Sequence, residues 1–217
     1  MKNENAGNAV SDYGWRSACP EHSHGYIAAR VVSTVKDLVG TTARILDLGS
    51  GNGALCGTLA AAGHEVVGGE YDEEGVRIAS SAYPHIPFHR LGVQDDPSEL
   101  LRREKPFDVV VSTEVVEHLF SPHLLPIYAR AVLNSGGHLL LTAPYHGYLK
   151  NLALAASGKL DAHFTVLWHG GHIKFWSRRS LTLLLESSGF SVIGFRGLGR
   201  VPYLWKSMLL VARRTAG

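Results

Sequence analysis

The sequence has few cysteines and few charged residues. Only Cys19 and Cys56 carry thiols, and they lie far apart without a C-x-x-C spacing, which argues against a disulfide framework and a thiolate zinc site. Charged residues make up 18% of the 217 positions and hydrophobic residues 45%, a balance that excludes intrinsic disorder. We therefore expect a single globular domain over residues 1–217, with both thiols free in a reducing compartment.

The chain also lacks a strong net charge and a long apolar run. The formal net charge of +2 is too small for a non-specific grip on a polyphosphate, so nothing favours nucleic acid as a partner. The first ten residues lack a signal peptide's apolar core, and no run approaches the roughly 18 apolar residues of a membrane span. We expect a cytoplasmic monomer or homodimer without stable membrane insertion. The apolar stretch Val201–Val211 predicts either a peripheral membrane contact or a core strand.

Short β-branched runs alternate with helical patterns, which is typical of a parallel sheet built from βαβ units. The predicted strands are Arg44–Leu48, Glu65–Glu70, Ile86–Leu91, Phe107–Ser112 and His138–Ala143, followed by an antiparallel hairpin of Phe190–Arg196 and Lys206–Ala212. Helices are predicted over Tyr26–Val39, Ala54–Ala62, Glu73–Tyr83, Pro97–Arg103, from Ser121 onward and over Ser177–Ser188.

Three glycines in five residues follow the first predicted strand, in the run ILDLGSGNG at 45–53. Such a turn lets a ligand approach the backbone, and its amides and the following helix N-terminus can hold an anion. Gly49, Gly51 and Ala54 also satisfy the dinucleotide fingerprint in its G-x-G-x-x-A form. The turn therefore predicts either a nucleotide-type cofactor site or a tight strand-to-helix turn without a ligand.

Glu70 ends the second predicted strand, 21 positions after Gly49. An acid at this distance meets ribose hydroxyls in nucleotide-binding folds, where its carboxylate accepts both hydrogen bonds of a cis-diol. The alternative is a solvated glutamate at a strand end. Tyr71, next along the chain, either packs on an adenine face or is a half-exposed aromatic side chain.

Four motifs in the same order resemble the class I S-adenosylmethionine-dependent methyltransferases. They are ILDLGSGNG at 45–53, the acid Glu70, the block FDVVVSTEVVEHL at 107–119 and GGHLLLTAP at 136–144. The Gly68-Gly69 pair departs from the family pattern, which more often has larger residues there. The resemblance implies a Rossmann-like α/β fold with a seven-stranded, mostly parallel sheet, an antiparallel last strand and helices on both faces.

The resemblance also implies where S-adenosyl-L-methionine would lie, over the carboxyl ends of strands one, two and four. The turn at 49–53 would take its carboxylate, Glu70 its ribose, and Gln94 or Asp95 its adenine amino group. The implied cofactor-binding residues are Asp47, Gly49, Ser50, Gly51, Gly53, Glu70, Tyr71, Gln94, Asp95 and Glu114.

Glu114, Glu117 and His118 stand at i, i+3 and i+4, so in a helix they would share one face. The pattern is most similar to the ubiquinone-biosynthesis O-methyltransferases, where this set is implicated in holding a divalent ion. Magnesium, manganese or zinc would suit such ligands. The alternatives are two acids that complement a helix N-terminus and a packed histidine.

Residues 144–176 form a longer connection than usual, which predicts a substrate-binding insertion or lid. Aromatic side chains alternate there with His146, His163, His169 and His172, a composition that fits a planar or apolar small-molecule acceptor. Residues 1–40 are expected to form a cap, in which His22 and His24 close the cofactor site beside Tyr13 and Trp15.

The predicted function is methyl transfer from S-adenosylmethionine to a hydroxyl of an aromatic or quinonoid small molecule. The candidate bases are His118, His146 and His172. Other functions left open are an N- or C-methyltransferase, a nicotinamide-dependent oxidoreductase, and a cofactor-binding module that has lost catalysis.

Overall fold

The computed structural model describes residues 15, 17, 24–164 and 171–215. Its seven strands are β1 Arg44–Leu48, β2 Glu65–Glu70, β3 Phe88–Arg90, β4 Phe107–Thr113, β5 Leu133–Pro144, β6 Phe190–Leu198 and β7 Ser207–Arg214. The helices are α1 His24–Val39, α2 Ala54–Ala61, α3 Glu73–Ala82, α4 Pro97–Leu101, α5 Leu124–Val132, α6 Tyr148–Ala156, α7 Leu160–Phe164 and α8 Arg178–Ser187.

The strands form one sheet in the order β3-β2-β1-β4-β5-β7-β6. Strands β1 to β5 pair in parallel, whereas β7 runs antiparallel to both of its neighbours, β5 and β6. This topology confirms the predicted α/β class, the seven-stranded sheet and the antiparallel last strand. The predicted hairpin of β6 and β7 is also confirmed.

Neighbouring residues of the strands point into two separate cores, one on each face of the sheet. Leu46 and Val110 pack into the core that α5 and α8 cover, whereas Ile45 and Val109 pack into the core beneath α1 and α2. Both faces are thus buried, as parallel sheets require. Because alternate residues of each strand point into one core or the other, these strands are nearly continuous apolar runs in the sequence.

Aspartate side chains cap the starts of two helices. The Asp72 carboxylate accepts from the amides of Glu74 and Gly75 at the start of α3, and Asp96 caps α4 with Pro97 as its first residue. Strand β3 is shorter than predicted because the Ile86 amide donates to the Tyr83 carbonyl in a turn. Strand β5 is longer because its first residue, Leu133, pairs with Phe107 of β4.

The connection between β5 and α8 contains α6 and α7, and Leu149 and Leu152 lie in α6. Predictions for Tyr13, Cys19, His22, Trp168 and His169, and for the side chain of His24, lie outside the described residues. The apolar stretch Val201–Val211 divides into a loop with exposed Val201, Tyr203 and Leu204, and the buried start of β7. Within the described ranges, no helix has the length and apolar character needed to cross a membrane.

Candidate functional site

A cavity of about 760 Å³ opens where β1, β2 and β4 end. Its wall includes Asp47 from β1, Glu70 from β2 and Thr113 from β4. Trp15 and α1 residues Ile27 and Ala28 line it from the amino-terminal part of the chain. The carboxyl ends of parallel strands are where ligands bind in open α/β sheets.

The glycine turn borders this cavity through Gly49 and Gly51. Both have positive φ angles, 85° and 52°, which glycine adopts at least cost. A Cβ at Gly51 would collide with the ring of Trp15. Gly53 also has a positive φ, but a Cβ there would lie 2.9 Å from Ala79 and from Phe88, so Gly53 packs behind the turn and does not line the cavity.

Three backbone amides of the glycine turn donate to protein carbonyls, whereas the resemblance implied that the turn takes the carboxylate of the cofactor. Gly49 and Ser50 both donate to the Gly69 carbonyl, at 2.7 and 3.1 Å, and Gly53 donates to the Ser50 carbonyl at 2.9 Å. These three amides bind protein acceptors, so they are not available to hold a carboxylate. The space that a side chain would take at Gly49 and Gly51 is filled by Val115 and Trp15, which line the cavity together with the turn.

Glu70 is fixed at the cavity wall by two backbone donors. Its Oε2 accepts from the Gly51 amide at 2.7 Å and its Oε1 accepts from the Asp72 amide at 2.8 Å. Burial raises the pKa of Glu70, while these two hydrogen bonds oppose the rise. Each oxygen keeps a further lone pair with which it can accept from a hydroxyl. Tyr71 lines the cavity beside it and is 40% exposed.

Asp47 presents an unpartnered carboxylate oxygen. The side chain is buried, and its Oδ2 accepts from Cys56 Sγ at 3.3 Å, whereas Oδ1 has no hydrogen-bond partner in the part of the chain that the structure describes. Burial raises the pKa of Asp47 to about 7. The Ser50 hydroxyl is likewise buried without a partner among these residues. Because buried polar atoms are nearly always paired, these two atoms at the cavity indicate places for a ligand's donors.

The two adenine-site candidates differ in position. Gln94 lines the cavity, whereas Asp95 is not among its lining residues. The Asp95 carboxylate accepts from the Gly92 amide at 2.7 Å and closes the turn after β3. The geometry thus puts Gln94 at the cavity and Asp95 in support of the loop.

Glu114 lines the cavity but is bound to the sheet. Its Oε1 accepts from the Thr142 hydroxyl at 3.0 Å and its Oε2 from the Ser207 hydroxyl at 3.1 Å. The Ser207 hydroxyl in turn lies 3.2 Å from the Tyr26 hydroxyl of α1. Burial raises the pKa of Glu114 to about 7, against the effect of these hydrogen bonds.

The face that Glu114, Glu117 and His118 would share in a helix does not form. Glu114 has a φ of 54°, in the left-handed region, and only Val116–His118 forms a single 3₁₀ turn. The cluster that does form comprises Glu117, His118 and His172, whose candidate ligand atoms all lie within 4.8 Å of one another. The i, i+3, i+4 spacing suggested Glu114 as the third member of the cluster, whereas the third member in the structure is His172.

Glu117 is the most unusual member of this cluster. Its side chain is fully buried, and among the described residues neither carboxylate oxygen has a hydrogen-bond partner. Burial, and then the nearby charge of Glu114, raise the pKa of Glu117. Its carbonyl accepts from the amides of Ile173 and Lys174, both at 3.0 Å, and this contact brings His172 to the cluster.

The two histidines approach Glu117 symmetrically. Nε2 of His118 and Nε2 of His172 each lie 4.0 Å from Glu117 Oε1, and the rings meet edge to face at 5.0 Å. His118 Nδ1 lies 3.3 Å from the Gly171 carbonyl. A carbonyl only accepts, so Nδ1 carries the proton and Nε2 of the neutral ring is basic.

Of the three predicted bases, only His118 lines the cavity. His146 is buried between the rings of Phe164 and Phe175, at centroid distances of 6.3 and 5.0 Å. Burial lowers the pKa of His146 to about 4 and that of His172 to about 4, so both are neutral at pH 7. A base with so low a pKa removes protons poorly.

Residues 21–194 match the protein family described as "Methyltransferase domain". The chain belongs to the class I S-adenosylmethionine-dependent methyltransferases. It is 31% identical over 172 residues to the ubiquinone biosynthesis O-methyltransferase of Ruegeria sp. (strain TM1040), a match that covers 75% of this chain. The chain spans 66% of that relative, just under two thirds of its length.

Solved structures of this methyltransferase fold agree with the topology described above. Magnesium protoporphyrin IX methyltransferase from Synechocystis PCC 6803, with bound S-adenosylhomocysteine, has a TM-score of 0.62 at 19% identity, over 87% of this chain and 81% of that one. The 1,6-didemethyltoxoflavin-N1-methyltransferase of Burkholderia thailandensis has a TM-score of 0.63 at 17% identity, over 88% and 79% of the two chains. At these identities the likeness shows the fold alone.

Proposed function

We propose that this chain transfers a methyl group from S-adenosylmethionine to a hydroxyl of a small aromatic or quinonoid acceptor. One observation carries the proposal. A single cavity is lined both by Glu70 and the glycine turn, which suit a nucleoside, and by His118, whose Nε2 can take a proton. Methyl transfer needs its two reactants side by side in one site that excludes water.

The residues at the cavity fit the cofactor. The unpartnered Asp47 oxygen suits its ammonium group, the backbone-anchored Glu70 suits its ribose diol, and Gln94 suits its adenine. A side chain at Gly51 would fill the space above the turn, where Trp15 already lies. When bound, S-adenosylmethionine supplies a methyl group activated by its positively charged sulfur.

The acceptor end is apolar. Leu119, Phe120, Leu124 and Ile173 line the cavity, and the Phe120 side chain is 86% exposed. Such a wall favours a planar, apolar molecule. We therefore assign residues 144–176 to acceptor binding, since Gly171 and Ile173 reach the cavity from this insertion. The name of the Ruegeria relative supports a hydroxyl acceptor.

His118 is the base in this proposal. Donation from Nδ1 to the Gly171 carbonyl fixes the ring and leaves Nε2 to accept the acceptor's proton. His118→Asn keeps a donor of similar reach but removes the base. We expect single-turnover methylation of catechol and phenol acceptors to fall by about 10²- to 10⁴-fold, with S-adenosylhomocysteine affinity unchanged. The exposed His123 provides the matched control, His123→Asn. Equal rates in both variants contradict the base assignment.

We further propose a divalent ion at Glu117, His118 and His172, which differs from the predicted set by the exchange of Glu114 for His172. A fully buried carboxylate, without a hydrogen-bond partner among the described residues and beside two imidazole rings, fits a metal ion. When bound, the ion lowers the pKa of an acceptor hydroxyl. Cobalt binding gives a visible spectrum that reports the site without activity, and we expect Glu117→Gln and His172→Ala to abolish it.

The two roles of His118 exclude each other, because one lone pair cannot hold an ion and accept a proton. Protein freed of metal with EDTA separates them. Full methyl transfer without metal supports the base, whereas loss of transfer that returns with magnesium or zinc supports the ligand. Calorimetry with S-adenosylhomocysteine and with a nicotinamide nucleotide tests the oxidoreductase alternative, and release of S-adenosylhomocysteine from acceptor mixtures tests the non-catalytic module.

A further inference from the structure

A second groove, of about 490 Å³, lies at the end of the sheet where β6 turns into β7. It shares no lining residue with the larger cavity. Three arginines and four aromatic residues make up nearly all of its wall, which comprises Arg30, Tyr145, Arg178, Phe195, Arg196, Gly197, Tyr203 and Trp205. We call it the arginine groove.

The aromatic side chains of the groove form one cluster around Trp205. The Trp205 ring lies 5.1 Å from that of Tyr145, 5.6 Å from that of Phe195 and 5.5 Å from that of Tyr203. A Cβ at Gly197 would collide with the Trp205 ring, so the glycine lets this ring lie against β6. These rings provide a planar, apolar surface that is partly exposed.

The guanidinium groups of the groove have no anionic partner among the described residues. In the described ranges, no carboxylate lies within 4 Å of Arg30, Arg178 or Arg196. Arg178 instead covers the Phe195 ring, with 4.5 Å between its Cζ and the ring centroid. Arg178 also begins α8, whose first turn contains no acid, so the positive helix end adds to its charge.

The part of the chain that supplies most of the groove wall, residues 162–217, has a large excess of positive charge. Residues 162–217 contain eight lysines and arginines but one acid, Glu186, although the whole chain has a net charge of only +2. Like charges collected in one groove repel each other, and a bound anion removes that repulsion. A phosphate monoester carries a charge of about −1.5 to −2 and three acceptor oxygens, which match several guanidinium donors better than a single carboxylate does.

We propose that the arginine groove binds a phosphate ester whose organic part is planar, with the phosphate on the arginines and the planar group on Trp205 and Tyr203. The combination of cations with exposed rings distinguishes this ligand from a simple anion, because each part of the groove binds one part of the ester. The proposal does not depend on methyl transfer, since the groove and the larger cavity are separate.

The test uses the full chain saturated with S-adenosylhomocysteine, so that the larger cavity is occupied. Calorimetry compares 4-methylumbelliferyl phosphate with inorganic phosphate and with 4-methylumbelliferone. We expect the ester to bind at least tenfold tighter than either part alone. Arg178→Gln and Arg196→Gln should each weaken ester binding at least tenfold, whereas the neighbouring Arg179→Gln, outside the groove wall, should change it less than threefold.

Tyr203→Gly separates the planar part from the phosphate part. Tyr203 has a φ of 66°, which glycine adopts freely, so this variant removes the ring without adding strain. We expect it to reduce ester affinity toward that of inorganic phosphate. Unchanged ester affinity in both arginine variants overturns the proposal, as does ester binding no tighter than that of inorganic phosphate. Binding to phosphatidylglycerol vesicles without binding of the soluble ester also overturns it.

Discussion

Replacement of Glu70 by glutamine tests the cofactor end of the cavity most directly. The Glu70 carboxylate accepts from two backbone amides, Gly51 and Asp72, at 2.7 and 2.8 Å. The amide of a glutamine has only one oxygen, so its NH₂ group would face one of these two donors. The side chain would then turn, and the ribose diol would lose an acceptor that two amides hold in place.

The size of the effect follows from the bonds lost. A hydrogen bond to a charged group contributes about 1.5 to 3 kcal/mol, and about 1.4 kcal/mol is a tenfold change in affinity. We therefore expect Glu70→Gln to weaken S-adenosylhomocysteine binding by about 10- to 150-fold in calorimetry at pH 7. The product is used because it contains the same ribose and needs no acceptor.

The neighbouring Glu73→Gln is the matched control, since the Glu73 side chain is 80% exposed and lies outside the cavity wall. It should bind the product with wild-type affinity. Thermal unfolding of both variants separates lost binding from lost folding. Glu70→Gln protein that remains folded and binds the product as tightly as wild type would refute the role of Glu70, and with it the position of the nucleoside.

Two further predictions concern buried titratable side chains. Burial lowers the pKa of His146 from 6.5 to about 4, so the unfolded chain takes up its proton first as the pH falls. From pH 7 to pH 5 the wild type should lose about 2 kcal/mol of unfolding free energy that His146→Phe keeps. Urea unfolding of both proteins at each pH measures this difference, and the same change in unfolding free energy with pH for the two proteins would contradict it. Glu117→Leu removes an unpaired buried carboxyl, so in EDTA it should raise the free energy of unfolding by about 1 to 3 kcal/mol, and a lower value would contradict the unpaired state of Glu117.

Local sequence patterns were sufficient to predict the bounds of two central strands. Strands β1 and β2 have the predicted bounds because each is an apolar run that ends at a structural boundary, Gly49 after β1 and the turn at Asp72 after β2. The polar ends of these strands could likewise be placed at one edge of the sheet from sequence, since the carboxyl ends of parallel strands lie together.

The cluster at Glu117 could not be predicted in this way. The spacing of Glu114, Glu117 and His118 gives one shared face only in a helix, but the left-handed backbone of Glu114 turns that side chain toward Thr142 and Ser207. His172 lies beside Glu117 because the amides of Ile173 and Lys174 donate to the Glu117 carbonyl. His118 is likewise 53 positions away from its partner Gly171. Such long-range contacts leave no local periodicity. The amides of Gly49 and Ser50 could not be placed for a similar reason, because their acceptor is the Gly69 carbonyl of β2.

The position of β7 fixes the order in which this sheet can be assembled. Strand β6 pairs only with β7 among the described strands, and β7 is the last of them to leave the ribosome. Until it emerges, β5 keeps an open edge and β6 has nothing to pair with. A truncation just before Ser207 would therefore remove two strands from the sheet, and it would also take from Glu114 the hydroxyl that helps to hold its carboxylate.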